Sequence, residues 1–169
     1  MSDLLIQPEQ IRDVAEIRNV VSAAFAGVAR SNQKECLLVD QLRDGAALSV
    51  SLVAQVDSLV VGHIAFSPVT IDGLLCDWFG LAPLAVRPDC QRAGIGSRLV
   101  NAGLDSLRRL EAKGCVVLGE PEYYRRFGFV SRQDLLLANA PAKYFLAQAL
   151  TGEVPRGHVA YHQAFALFS

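Results

Sequence analysis

A chain of 169 residues is long enough for one domain built round a single sizeable core. With 51% hydrophobic and 20% charged residues it lies well outside the composition of a disordered segment. Its net charge of −1 supplies no electrostatic footprint for nucleic acid or an anionic membrane surface, so neither is expected as a partner.

The opening run from Met1 to Pro8 lacks a basic stretch followed by a long apolar core, so no signal peptide is expected. No apolar run reaches the ~18–20 residues that a membrane span needs. Leu4 to Gln7 reads as a short strand. Val14, Ile17, Val21, Ala24 and Phe25 then recur at helical spacing, which predicts an amphipathic helix over Asp13 to Ala26. A second helix is expected from Lys34 to Arg43, ended by Asp44-Gly45. Ser49 to Gln55 and Leu59 to Thr70 are rich in β-branched and apolar residues, and Asp57-Ser58 between them marks a hairpin. Ile71-Asp72-Gly73 marks a further turn into a long strand, Leu74 to about Val86. After Pro88 a glycine-containing loop opens a helix that carries Ile95, Leu99, Leu104, Leu107 and Leu110 on one face, closed by Lys113-Gly114.

Cys115 to Leu118 reads as a buried strand, Pro121 to Phe127 as one or two helical turns with proline first, and Phe129-Val130 as a strand. Tyr144 to Leu150 looks helical, and Val159 to Phe165 looks like a last strand. Strands and helices alternate after an antiparallel hairpin, so the expected class is α/β with a sheet of mixed direction. The four cysteines (Cys36, Cys76, Cys90, Cys115) include no Cys-x-x-Cys and no histidine at ligand spacing. They read as reduced thiols of a cytoplasmic protein, with no metal site expected.

The most informative stretch runs Leu84-Ala-Val-Arg-Pro-Asp-Cys-Gln91-Arg-Ala-Gly94-Ile-Gly96-Ser97. A buried strand enters a tight turn, and a helix starts at about Gly94. The first N–H groups of that helix lack internal partners and point outward with the positive end of the dipole. A phosphate fits there, and glycines let it approach the backbone. The run lacks Gly-Lys-Ser/Thr, so it is not a P-loop. It also lacks the third glycine of a dinucleotide fingerprint, where Leu99 stands.

Gln91-Arg92-Ala93-Gly94-Ile95-Gly96 after Leu-Ala-Val-x-Pro resembles the acetyl-CoA motif of the GNAT superfamily of N-acetyltransferases. The resemblance implies that backbone N–H groups from Arg92 to Ser97 cradle the pyrophosphate of acetyl-CoA. It further implies that Leu84, Ala85 and Val86 offer their backbone to the pantetheine arm, with Gln91 and Gly96 shaping the loop. A second match, Tyr123-Tyr124-Arg-Arg-Phe127-Gly128-Phe129, resembles the tyrosine–three residues–Gly-Phe signature of the same family. The family tyrosine protonates the departing CoA thiolate, and Tyr124, four before Gly128, holds its position; Tyr123 is expected to be a packing residue. Gly62-His63-Ile-Ala-Phe-Ser67-Pro68, Leu-Gly-Glu-Pro-Glu-Tyr-Tyr and Tyr161-His162-Gln-Ala-Phe165 are similar to the YhbS-like branch of bacterial GNATs. The implied fold is one GNAT domain over residues 1–169, an α/β structure whose mixed central sheet is flanked by helices on both faces. The implied reaction is transfer of acetyl from acetyl-CoA to an amine by direct attack in a ternary complex.

Two features depart from the family. The asparagine that many members carry before the tyrosine has no equivalent here, and the glutamate base of histone-type members is replaced by Gly80. Asp77, Glu120, His63 or a water is then the candidate base, and Arg98, Arg125 and Arg126 are candidates to meet CoA phosphates. The missing base also leaves a catalytically weak CoA-binding or interaction module as the alternative. The apolar tail from Ala164 to Phe168 is a candidate homodimer surface.

Overall fold

Two-residue turns organise the first half of the chain. Asp57 and Ser58 (φ 52° and 66°) and Asp72 and Gly73 (φ 51° and 81°) all take left-handed conformations, the geometry that lets twisted strands meet in tight hairpins. In the computed structural model, which describes residues 3–168, these turns join three strands: β2 (Val50–Val56), β3 (Leu59–Ile71) and β4 (Leu74–Val86). β1 (Leu4–Pro8) pairs antiparallel with β2 on the far side. Met1, Ser2 and Ser169 lie outside the described residues.

α1 (Val14–Phe25) and α2 (Glu35–Asp44) follow β1 and cover one face of the sheet. Ile17, Val20 and Val21 of α1 pack on Val53, Val60 and Ala85. α3 (Ile95–Arg109) covers the opposite face, where Leu99, Val100, Leu104 and Leu107 meet Ile64, Phe66 and Leu81. Gly103 allows that contact, since a Cβ there would stand 2.3 Å from the Phe66 ring. The expected mixed sheet with helices on both faces is therefore present.

β5 (Gly114–Leu118) runs parallel to β4 after the α3 crossover. Next come the single-turn α4 (Pro121–Tyr124), β6 (Val130–Ser131), β7 (Leu135–Leu137), β8 (Phe145–Ala149) and β9 (Gly157–Ala160). The strand order is β1-β2-β3-β4-β5-β8-β6, with β9 joining the far end of β3 and β7 pairing β9.

Three expectations from sequence are corrected. Gly114 does not close the helix: it opens β5 beneath Trp78, where a Cβ would come within 2.3 Å of the indole. α3 ends instead with Glu111 left-handed at φ 60°, the Ala112 N–H donating to Leu107 O and the Glu111 N–H to Arg108 O. Residues 145–149 are a strand, not a helix. Leu, Ala and Gln favour a helix locally, but β5 has a second edge to satisfy, and β8 pairs with it from Gly114↔Ala149 to Leu118↔Phe145. The last strand stops at Ala160; the Ala164 N–H donates to His162 Nδ1, and a 3₁₀ turn spans Gln163–Phe168. That turn lays Ala164, Phe165 and Leu167 on Leu38, Leu42 and Ala47 of the same chain, leaving Phe168 41% exposed.

Candidate active site

β4 and β5 pair only over Trp78–Gly80 and Gly114–Val116, then part. Beyond Gly80, the edge of β4 that faces β5 has no strand partner, while its other edge stays bonded to β3 through Phe66↔Leu81, Ile64↔Leu84 and Gly62↔Val86. β5 meanwhile continues with β8 on its far side. The splay leaves a length of unpaired backbone in the middle of the sheet, flanked by two adjoining cavities of about 690 and about 450 Å3. Leu84 lines both.

The smaller cavity lies at the N-terminus of α3. Arg92 and Gly94 are left-handed there (φ 66° and 83°), and nothing stands within 4 Å of where a Gly94 Cβ would be. A glycine keeps this turn unstrained and open above the free N–H groups of the helix. Gln91 ties the loop down, its Nε2 donating to Val86 O at 3.0 Å. Of the predicted cofactor residues, Leu84, Val86, Gln91, Arg92, Gly94, Ile95, Gly96 and Ser97 line this cavity. Ala93 does not, and the side chain of Ala85 is buried on the opposite face against α1, so only its backbone can take part. A cradle of backbone donors, open where a Cβ would otherwise intrude, suits a pyrophosphate.

Tyr123 and Tyr124 divide between the cavities. Tyr124 lines the larger one, its ring lying over Gly119, where a Cβ would stand 2.5 Å away, and edge-on to Phe129 at 5.9 Å between centroids. Among the described residues its hydroxyl has no hydrogen-bond partner, and burial, reinforced by Tyr123 and Cys115, pushes its pKa up. It therefore holds its proton at neutral pH. Tyr123 lines the smaller cavity, its hydroxyl 2.8 Å from where a Gly96 Cβ would be, and Arg126 stacks on its ring at 4.7 Å. Tyr123 thus lines the smaller cavity and is more than the packing residue expected from sequence. The Gly-Phe signature has a structural cause as well: Gly128 is left-handed at φ 98°, and a Cβ there would collide with Gln148 Nε2 at 2.2 Å.

None of the three side chains named as a base lines either cavity. Asp77 is exposed at the start of the β4–β5 pair, on a left-handed residue. Glu120 is exposed ahead of α4. His63 is fully buried and faces Ser51, with its Nε2 2.8 Å from Ser51 Oγ. Burial drives its pKa down. Of the three arginines, Arg126 alone reaches the phosphate cavity; Arg125 sits 3.8 Å from Glu122, and Arg98 reaches Leu4 O.

Sequence reasoning missed Glu35, Tyr161 and His162, which line the larger cavity from α2 and from the chain after β9. Tyr161 explains Gly80: a Cβ at Gly80 would stand 2.9 Å from the Tyr161 ring, so the tyrosine covers the position where histone-type relatives carry their base. The Tyr161 hydroxyl is buried without a partner, and burial pushes its pKa up. Among the described residues no three His, Cys, Asp or Glu side chains are grouped so as to hold a metal ion, and no helix is long and apolar enough to cross a membrane.

A splayed parallel pair beside an open helix start is the arrangement the resemblance implied, and sequence comparison agrees: residues 47–131, half of the chain, match the Acetyltransferase (GNAT) domain family. The chain belongs to the GNAT family. It is 44% identical over 96 residues to the uncharacterized N-acetyltransferase YhbS of Escherichia coli K12, a match covering 56% of this chain and 58% of that protein. The chain thus spans a little over half the length of this curated relative. Among solved structures, a GNAT family acetyltransferase from Brucella melitensis in complex with acetyl-CoA is 48% identical, with a TM-score of 0.88 over 96% of this chain and 98% of that one. E. coli YhbS in complex with CoA is 33% identical, with a TM-score of 0.89 over 98% and 93%.

Proposed function

We propose that this protein transfers the acetyl group of acetyl-CoA to an amine by direct attack in a ternary complex, with Tyr124 as the general acid. The observation that carries the reading is the junction at Leu84, where the phosphate cradle of α3, the unpaired edge of β4 and the Tyr124 cavity meet. The complexes of two close structural relatives with acetyl-CoA and CoA support the same donor.

Each part of the chain then has a task. The backbone of Arg92 to Ser97 takes the pyrophosphate, and Leu84 to Val86 pair with the pantetheine arm as an added strand would. Acetyl-CoA supplies an activated thioester. The amine nitrogen bonds to its carbonyl carbon as the carbon–sulfur bond breaks, and the Tyr124 hydroxyl gives its proton to the departing sulfur. Asp77, Glu120 and His63 stand outside the cavities, so the surplus proton of the ammonium goes to another group of the lining or to water. Of the four cysteines only Cys90 lines a cavity, and burial and Asp89 push its thiol up, against the direction a nucleophile needs. Acetyl-CoA and an amine are thus the partners, in the cytoplasm, without nucleic acid, membrane or metal.

Tyr124→Phe tests the assignment, because it removes the hydroxyl and keeps the ring. Turnover with an amine acceptor is expected to fall tenfold or more, the lower figure allowing for water as a substitute donor and the upper reaching the ~100- to 10,000-fold that a general acid contributes. Melting temperature and acetyl-CoA affinity should hold. Unchanged turnover would remove Tyr124 from the mechanism and leave the fold assignment intact.

A further inference from the structure

The larger cavity holds more than a thioester needs, and its lining is chemically lopsided. Phe25, Leu38, Phe165 and Phe168 make one wall apolar and aromatic. No lysine or arginine lines the cavity, and Glu35 is the one carboxyl group among the lining residues. Glu35 is 7% exposed. Its Oε1 accepts a hydrogen bond from the Ser31 hydroxyl, while Oε2 is buried with no partner among the described residues. Glu35 opens α2, where the helix dipole favours an acid. The dipole accounts for an acid at that position but not for burying one of its oxygens bare, which costs several times what a satisfied one does. Glu35 lines the cavity, so a small turn of its side chain would offer this oxygen to a cation bound there.

Resting on the acetyltransfer reading, we propose that the acceptor is a primary amine carrying a single positive charge on an apolar alkyl or aryl body, whose ammonium docks on Glu35 and gives up one proton before the neutral nitrogen attacks the thioester. Charge counting excludes two other acceptor classes. A polyamine needs several acids spaced along the wall, and the lining has one. An amino acid or a peptide C-terminus brings a carboxylate, for which the wall offers no lysine or arginine. A single ammonium on an apolar body satisfies Glu35 and spends the rest of its surface on Phe25, Leu38, Phe165 and Phe168. At about 690 Å3 the cavity is in the range that encloses small organic ligands, even with its inner end given to the acetyl group.

The test titrates four probes into the CoA-loaded protein and into the free protein: hexylamine, 2-phenylethylamine, the neutral isostere 1-hexanol, and spermidine. The two monoamines should bind at least tenfold more tightly than 1-hexanol and more tightly than spermidine. Glu35→Gln should weaken the monoamines tenfold or more, and raise their KM in the acetylation assay, while the affinities for 1-hexanol and CoA stay as they are. Glu35→Asp, which restores the charge on a shorter arm, should recover part of the loss and shows that the glutamine variant did not simply misfold. Equal binding of hexylamine and 1-hexanol, a preference for spermidine, or an unaffected Glu35→Gln would each overturn the proposal. CoA affinity is read separately, so a protein that binds CoA but not monoamines refutes the acceptor class alone. One that binds monoamines but not CoA refutes the acetyltransfer reading instead.

Discussion

Two glycines hold the tyrosines of the site where they are. Gly119 lies under the Tyr124 ring, and Gly119→Ala would place a methyl 2.5 Å from it, so the ring must move. Turnover should fall as it does in Tyr124→Phe, with a stability loss of about 1–3 kcal/mol from overpacking, read by kinetics and by denaturant titration. Gly96 is bounded by one atom, the Tyr123 hydroxyl at 2.8 Å, while the next ring carbon stands at 3.9 Å. Gly96→Ala should therefore weaken acetyl-CoA binding by displacing Tyr123 across the phosphate cavity. Adding Tyr123→Phe removes the one colliding atom and should restore much of the affinity, an interaction a double-mutant cycle isolates. Affinities that simply add would show that the alanine acts on the loop and not through Tyr123. Both tyrosines were legible in the sequence as a motif. Their division between two cavities was not, because it depends on which way each ring turns from a single helical turn.

At the scale of elements, the phosphate loop and α3 form one unit whose function is separable from its packing. Gly94→Asp puts a carboxylate and a Cβ into the open space over the helix start, while aspartate tolerates the left-handed backbone better than most residues. Acetyl-CoA at ~100 times its dissociation constant should stabilise the parent protein by about 2.7 kcal/mol, and Gly94→Asp should abolish that shift while melting close to the parent. A retained shift would reduce the loop to an ordinary turn. On the buried face of the same helix, Leu99→Ala should instead cost about 2–5 kcal/mol with cofactor affinity held in the remaining folded protein. The element most plainly misread from sequence was β8. Its Ala-, Leu- and Gln-rich run has helical propensity, yet a free edge of β5 supplies five residue pairings that propensity cannot outweigh.

For the whole molecule, the half-buried charges between α2 and the sheet, with the buried His63 beside them, set the response to acid. Arg43 donates to both oxygens of Glu9 at 2.8 and 3.1 Å, the Ser51 hydroxyl donates to Glu9 as well, and His63 Nε2 lies 2.8 Å from Ser51 Oγ. With the Ser51 proton on Glu9, His63 donates from Nε2 and keeps Nδ1 bare. Burial raises the Glu9 carboxyl, but the His63 imidazole 3.9 Å away and the hydrogen bonds from Arg43 and Ser51 outweigh it and bring it from 4.5 to about 2. The unfolded chain then takes up this proton first, so the contribution is whole above pH 4.5 and is lost as pH falls toward 2. Burial likewise holds His63 below its usual 6.5, so stability also declines as pH drops below that value. Melting temperature should fall below pH 6.5 and more steeply below 4.5. Glu9→Gln should be less stable at pH 7 and lose the steep lower limb; a parent-like acid profile in that variant would assign the limb to other carboxyls.

The sequence by itself determined the family and carried the phosphate-loop and tyrosine motifs, because each is written in a few neighbouring residues. Left-handed turns at Asp57-Ser58 and Asp72-Gly73, a glycine ahead of a helix and a tyrosine four before Gly128 are local geometry, and local geometry follows local sequence. The tertiary structure alone decided the larger cavity. Glu35, Leu81, Tyr124 and Tyr161 come from α2, β4, α4 and the chain after β9, and no spacing relates them. It also decided that His63 belongs to a buried network with Glu9 and Ser51, that Gly80 is covered by Tyr161, and that the apolar tail packs on α2. Each of these outcomes depends on which surfaces remain unsatisfied once the sheet has formed, and that is a property of the assembled fold.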